Sequence, residues 1–231
     1  MIAGLLLAGG ASARMGRPKA LLALGDRPLI VDQLARLRAA GCAPIACVLG
    51  AHADEIAPAL GLQGMPPARE SRHTIGELDV LFARNPEWTR GSFSSLQTGL
   101  RALMGPAEDK GPHSAPSAHA LAEGLVILPL DVPGVAASVF RSLLAAAREE
   151  LRSGDPAAAV IPVYEGHGGH PIWLAPRMVS ELLSAPAGSR LDERLREKVV
   201  RRVEVDDPHV RGNVNTPEEW EAFLRDEYPD E

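Results

Sequence analysis

Strand-length apolar runs alternating with helical patterns predict an α/β fold: a three-layer αβα arrangement around a Rossmann-like, mostly parallel, twisted sheet. Three observations carry this. The runs 2–8 and 125–130 are almost unbroken apolar stretches, the pattern of strands buried on both faces. The first ends in Gly9-Gly10 and the second in Asp131, and such sheets bind ligands at the carboxyl ends of their strands. Helical spacing intervenes, as in Ile30, Leu34 and Leu37.

In chain order, strand 2–8 leads through a glycine loop to a helix over 28–40, with Pro28 in its first turn and Gly41 at its stop. A short apolar strand over 44–49 precedes a helix over 53–60, and a third strand covers 78–83. The next helix spans 94–103. Residues 105–123, rich in Pro, Gly and Ser without apolar periodicity, read as a mobile insertion. Strand 125–130 then resumes the sheet, followed by a helix to Arg152. Strands over 157–164 and 171–174 flank the loop Gly166-His167-Gly168-Gly169-His170. Helices over 176–183 and 191–197, a strand over 201–205 and a helix over 217–225 complete one domain over 1–231.

Composition narrows the function. The 231 residues are 45% hydrophobic and 23% charged with a net charge of -6, which excludes a wholly disordered chain. No stretch approaches the roughly 18 apolar residues of a membrane span. Acidic balance and few aromatic residues (three Trp, two Tyr, four Phe) argue against a basic, base-stacking nucleic-acid surface. The run 2–8 before Ala11-Ser12-Ala13 mimics a signal peptide, but no Lys or Arg precedes it, and a buried first strand explains it better. Cys42 and Cys47 are too few for a disulfide framework and read as buried or half-buried thiols of a cytoplasmic protein.

The loop after the first strand is the most informative segment. Gly9, Gly10 and Gly16 let backbone approach a ligand closely, while Ser12, Arg14, Arg17 and Lys19 bring a hydroxyl and three cations. Exposed N–H groups and cations at a strand end suit a triphosphate. The spacing is neither Walker A nor GxGxxG. The competing reading is a glycine turn with solvated arginines. Asp131, in Leu128-Pro129-Leu130-Asp131-Val132-Pro133, is either a turn residue or a Mg²⁺ ligand, since Mg²⁺ takes one or two carboxylates plus phosphates and water.

Residues 7–19, Leu-Ala-Gly-Gly-Ala-Ser-Ala-Arg-Met-Gly-Arg-Pro-Lys, resemble the signature of the GT-A-like nucleotidyltransferase superfamily. They look most like the molybdenum-cofactor cytidylyl- and guanylyltransferases. The segment Asn85-Pro86 to Gly99-Leu100 is similar to the cytidylyltransferase branch, and Asn213-Val214-Asn215-Thr216-Pro217 to the guanylyltransferase branch. The resemblance implies a nucleotide-diphospho-sugar transferase type of fold and transfer of NMP from an NTP, CTP ahead of GTP. The acceptor it implies is a small phosphorylated molecule such as molybdopterin, with a molybdoenzyme as partner.

For the site, the resemblance implies that Leu7, Ala8, Gly9, Gly10, Ser12, Arg14, Lys19, Ser94, Ser95 and Gly99 hold the nucleotide. Arg14, Lys19 and Asp131 then serve catalysis, Asp131 with Asn213 and Asn215 holds Mg²⁺, and His170 of Gly169-His170-Pro171 borders the acceptor. Plainer readings stand beside these. Ser92, Ser94 and Ser95 are N-cap candidates, and Thr216, Pro217 and Glu219 spell a capping box. His167 and His170 alone are weak evidence for zinc, and His52, His73, His113, His119 and His209 suggest no partner. A sugar-phosphate nucleotidyltransferase is the alternative enzyme. The Asn residues where relatives carry Asp also fit a non-catalytic accessory protein for cofactor insertion.

Overall fold

The continuous apolar runs lie in the middle of a nine-stranded sheet. The computed structural model describes residues 1–62, 70–105, 121–186 and 188–227. Most of the expected 105–123 insertion, including His113 and His119, lies outside the described residues. The strands are β1 (Ala3–Ala8), β2 (Ala23–Leu24), β3 (Arg27–Pro28), β4 (Ile45–Leu49), β5 (Ser71–Ile75), β6 (Leu78–Arg84), β7 (Leu125–Pro129), β8 (Ala159–Tyr164), β9 (His167–Gly168), β10 (Ile172–Leu174) and β11 (Val200–Glu204). The helices are α1 (Leu29–Ala39), α2 (Ala53–Ala59), α3 (Ser92–Met104), α4 (Ala137–Arg152), α5 (Pro176–Ser184), α6 (Leu191–Arg196) and α7 (Pro217–Glu227).

The sheet runs β11-β8-β10-β7-β1-β4-β6-β5, with β9 paired to β8. Strands β7, β1, β4 and β6 are parallel neighbours, whereas β5 and β10 run antiparallel to theirs. Alternation along β1 divides its side chains between two cores. Leu6 and Ala8 face the layer of α1, α4 and α7, and Ala3 and Leu5 face the layer of α3, α5 and α6. The three-layer arrangement follows directly.

Several expectations shift. Strand β5 was not foreseen, because Ser-Arg-His-Thr-Ile alternates half-buried and exposed positions at the sheet edge and shows no apolar run. The 166–170 loop contains β9, which forms a hairpin with β8. Pro28 is the N-cap of α1 rather than its first residue. The N-cap of α3 is Gly91 (φ 94°), a conformation that suits glycine, so Ser92 opens the helix and Ser94 and Ser95 lie inside it. Cys42 and Cys47 are free and buried, and burial pushes the Cys42 thiol up to about 12. Among the described residues, no helix is long and apolar enough to cross a membrane.

Candidate active site

From β1 the chain proceeds outward through β4 and β6, then returns to β7 on the other side of β1. The carboxyl ends of β1 and β7 therefore form a topological switch point, where open α/β sheets leave a crevice. A cleft of about 1450 Å³ opens there, lined by Leu7, Ala8, Gly9, Gly10, Ala11, Ser12, Lys19, Ser95, Asp131, His170 and Asn213 among others.

The glycine loop is closely constrained. A Cβ on Gly9 would lie 2.7 Å from Ser95 Oγ, and one on Gly50 would overlap the Gly9 carbonyl. Ser12 adopts φ 49°, uncommon for a residue with a side chain. Its Oγ accepts from the Lys19 N–H at 3.2 Å, and its carbonyl accepts from the Met15 N–H at 2.9 Å. Gly10 is exposed, and a Cβ there would meet nothing within 4 Å.

Lys19 is buried, with 8% of its surface exposed. Its ammonium donates to Asn215 Oδ1 at 2.8 Å. Burial holds the Lys19 pKa below the usual lysine range, opposed by the charge of Asp131 and assisted by Arg14. Asp131 and Glu219 act on the ammonium through charge, and Asn215 is its one hydrogen-bond partner among the described residues.

Asp131, half-buried, lies just beyond β7. Its carbonyl accepts from the Val214 N–H at 2.8 Å, which brings Asn213 and Asn215 alongside. Thr216 and Glu219 form the reciprocal capping box: the Glu219 N–H donates to Thr216 Oγ1, and Glu219 Oε2 accepts from the N–H groups of Thr216 and Asn215. That cap fixes the segment bearing both asparagines. Asn215 commits its amide oxygen to Lys19, whereas Asn213 is exposed and lines the cleft.

His170 also lines the cleft, and its pKa is lowered by burial, with Asp131 opposing. His167 is exposed and its Nδ1 pairs with the Glu165 carbonyl, outside the cleft lining. Among the described residues no three His, Cys, Asp or Glu side chains group to hold a metal ion.

Four residues named in the sequence fall outside the cleft lining: Asn215, whose amide oxygen is taken by Lys19, and Arg14, Ser94 and Gly99. Arg14 is exposed. The Ser94 hydroxyl is spent between Asn85 Nδ2 and the carbonyls of Gly91 and Glu87. Gly99 lets α3 approach the sheet, since a Cβ would strike Leu5.

Two contributors lie far from the loop in sequence. Asn85, buried at the end of β6, donates to Ser94 and Ser95 and so holds the start of α3 against Gly9. His52, to which no partner was assigned, contacts the Ala11 carbonyl at 2.7 Å. The Asn85-Pro86 pair was visible as part of a motif, but nothing in the sequence flagged His52.

A glycine loop, a buried lysine and a strand-end carboxylate around one cleft, on this sheet, define a nucleotidyltransferase. The chain belongs to the family described as the MobA-like NTP transferase domain, whose model matches residues 4–205. A molybdenum cofactor guanylyltransferase of Rhizobium meliloti (strain 1021) is 28% identical over 242 residues, covering 97% of this chain and 94% of its own. A nicotine blue oxidoreductase of Paenarthrobacter nicotinovorans is 27% identical over 227 residues, 96% of each chain. A Mycobacterium tuberculosis H37Rv protein solved in complex with manganese shares the fold at a TM-score of 0.64, with 22% identity, over 97% of this chain and 98% of that one.

Proposed function

We propose that this enzyme transfers a nucleotidyl group from GTP or CTP to a small phosphorylated acceptor such as molybdopterin, with loss of pyrophosphate. The observation that supports this reading is that Lys19 and Asp131 line the same cleft as the glycine loop. The Ser-rich start of α3 and Gly169-His170-Pro171 favour CTP. The Asn213-Val214-Asn215-Thr216-Pro217 segment and the guanylyltransferase relative favour GTP, so the proposal carries both donors.

A phosphate monoester acceptor has a second pKa of about 6 and is already a nucleophile at pH 7, so no general base is required. The work left to the protein is positioning and charge neutralisation. The N–H groups of the Gly9–Ser12 stretch and the Lys19 ammonium hold the triphosphate, and Asn215 keeps Lys19 aimed into the cleft. Asp131 and Asn213 offer oxygen donors suited to Mg²⁺ or Mn²⁺, with phosphates and water filling the remaining positions. When bound, the cation offsets charge developing on the α-phosphate and the departing pyrophosphate. His170, which lines the cleft with Asp131, is assigned to the acceptor, and a molybdoenzyme is the expected recipient of the product.

The test is pyrophosphate release with GTP or CTP, Mg²⁺ and molybdopterin, in wild type and Asp131→Ala. The variant is expected to keep its circular dichroism spectrum and lose at least about 100-fold in turnover. Near-wild-type release by the variant would overturn the assignment. Nucleotide binding by the wild type without any release would mark an accessory protein instead. A relative of equal coverage carries the name of an oxidoreductase, so the acceptor is decided by this assay rather than by family membership.

A further inference from the structure

His52 stands at the N-cap of α2, outside the cleft lining, yet it touches the glycine loop. Its Nδ1 lies 3.0 Å from Glu55 Oε1 and its Nε2 lies 2.7 Å from the Ala11 carbonyl oxygen. A carboxylate and a carbonyl can only accept, and a neutral imidazole carries one N–H. Both contacts are hydrogen bonds only if the ring is doubly protonated.

The neighbouring residues act on the same loop. The Ala51 N–H donates to the Gly9 carbonyl at 3.3 Å, and Gly50 leaves no room for a Cβ beneath that carbonyl. The carbonyls of Gly9 and Ala11 are thus both drawn toward residues 50–52. The peptide bonds that follow them are trans, and in a trans peptide the N–H points opposite to the C=O. The N–H groups of Gly10 and Ser12 are therefore turned away from residues 50–52. Gly9, Gly10, Ala11 and Ser12 line the cleft and residues 50–52 do not. The left-handed Ser12 is held by the same bonds together with those from Lys19 and Met15.

We propose that residues 50–52, with His52 as an imidazolium, form a strut that sets the glycine loop in its anion-binding form. His52 is then a positioning residue for the donor's phosphates, at one remove from the ligand. The inference rests on the nucleotide-binding reading of the loop and adds a proton dependence to it. Glu55 and the Ala11 carbonyl both raise the His52 pKa above its ordinary value. The strut is therefore complete below that raised value and is lost as pH climbs through it. Of the other charged groups nearby, Asp54 is held by both guanidinium nitrogens of Arg84 on β6. Lys19, on the 3-10 turn packed against α2, directs its ammonium to Asn215.

The experiment has two arms. In the first, a long-range proton–nitrogen spectrum of the full chain reads the His52 ring, with amide exchange of Gly10 and Ser12 compared between wild type and His52→Ala. Two protonated nitrogens at pH 6, below the ordinary histidine value, and faster exchange in the variant, are expected. A singly protonated ring at pH 6, or unchanged exchange, would overturn the strut. In the second, titration calorimetry with GTP and CTP in Mg²⁺ compares wild type, His52→Ala and His52→Gln from pH 6 to 9. His52→Ala should weaken binding about tenfold at pH 6, the value of one charged hydrogen bond. His52→Gln, a neutral donor, should fall between and stay flat in pH where the wild type declines. Equal affinities and equal pH profiles in all three would overturn the proposal. Should wild type bind neither nucleotide, the donor reading falls while the first arm still decides the strut.

Discussion

Lys19 is a buried cation whose ammonium is held by Asn215 alone among the described residues. Its one side-chain hydrogen bond among the described residues uses one of three donors, and burial lowers its pKa. A lysine pKa lower in the folded than in the unfolded state makes the ammonium a cost to folding, relieved as pH rises through the folded value. Lys19→Met should therefore leave the unliganded melting temperature unchanged or raised, and flatten its rise at alkaline pH, while nucleotide affinity collapses. Scanning calorimetry from pH 7 to 10 checks the first part and calorimetric titration the second; a clear fall in melting temperature would show that Lys19 holds the fold instead. Gly10 makes the complementary case. With no atom within 4 Å of its would-be Cβ, packing does not demand glycine there, so Gly10→Ala should melt like wild type yet bind nucleotide several-fold more weakly by titration. Both residues were legible in the sequence because the motif is contiguous. His52 was not, and Asn85 was visible only within a motif and without its role, because both roles exist only after β4 has paired with β1 and β6 with β4.

At the level of elements, helix α3 illustrates what a motif conceals. Its serines and Gly99 looked like pocket residues, but the helix begins two residues earlier than its apolar spacing suggested, at a left-handed Gly91. That start, fixed by Asn85, brings Ser95 to the cleft and commits Ser94 to local bonds. Gly99 falls on the sheet side, against the fully buried Leu5. Gly99→Val should accordingly cost about 1–3 kcal/mol through overpacking, seen as a lower urea midpoint, with nucleotide affinity of the folded protein retained. A weakened affinity at unchanged midpoint would return Gly99 to the pocket. Strands buried on both faces were readable from unbroken hydrophobicity. Edge strand β5 and the two-residue β9 were not, since a half-solvated or very short strand takes its structure from its neighbour's hydrogen bonds. The capping box at Thr216 was readable because its chemistry is local.

Across the whole molecule, the order of strands explains why residues 7–19, 131 and 213–215 meet. β7 returns beside β1, so the loops after both strands open on the same edge, and the backbone bond from Val214 to Asp131 draws the C-terminal asparagines in. Chain topology alone places a cation, a carboxylate and two amides around a glycine loop. If that arrangement is a nucleotidyltransferase site, the intact protein should recognise a nucleoside triphosphate before any acceptor arrives. The most direct measurement is a thermal-shift comparison of GTP, CTP, UTP and ATP with and without Mg²⁺, in wild type and Lys19→Met. A nucleotide at about 100 times its dissociation constant adds about 2.7 kcal/mol, a rise of roughly 5–10 °C for a chain of this size. The account predicts that rise for GTP or CTP, larger with Mg²⁺ and absent in Lys19→Met; no shift with any nucleotide, or an equal shift in the variant, would contradict it.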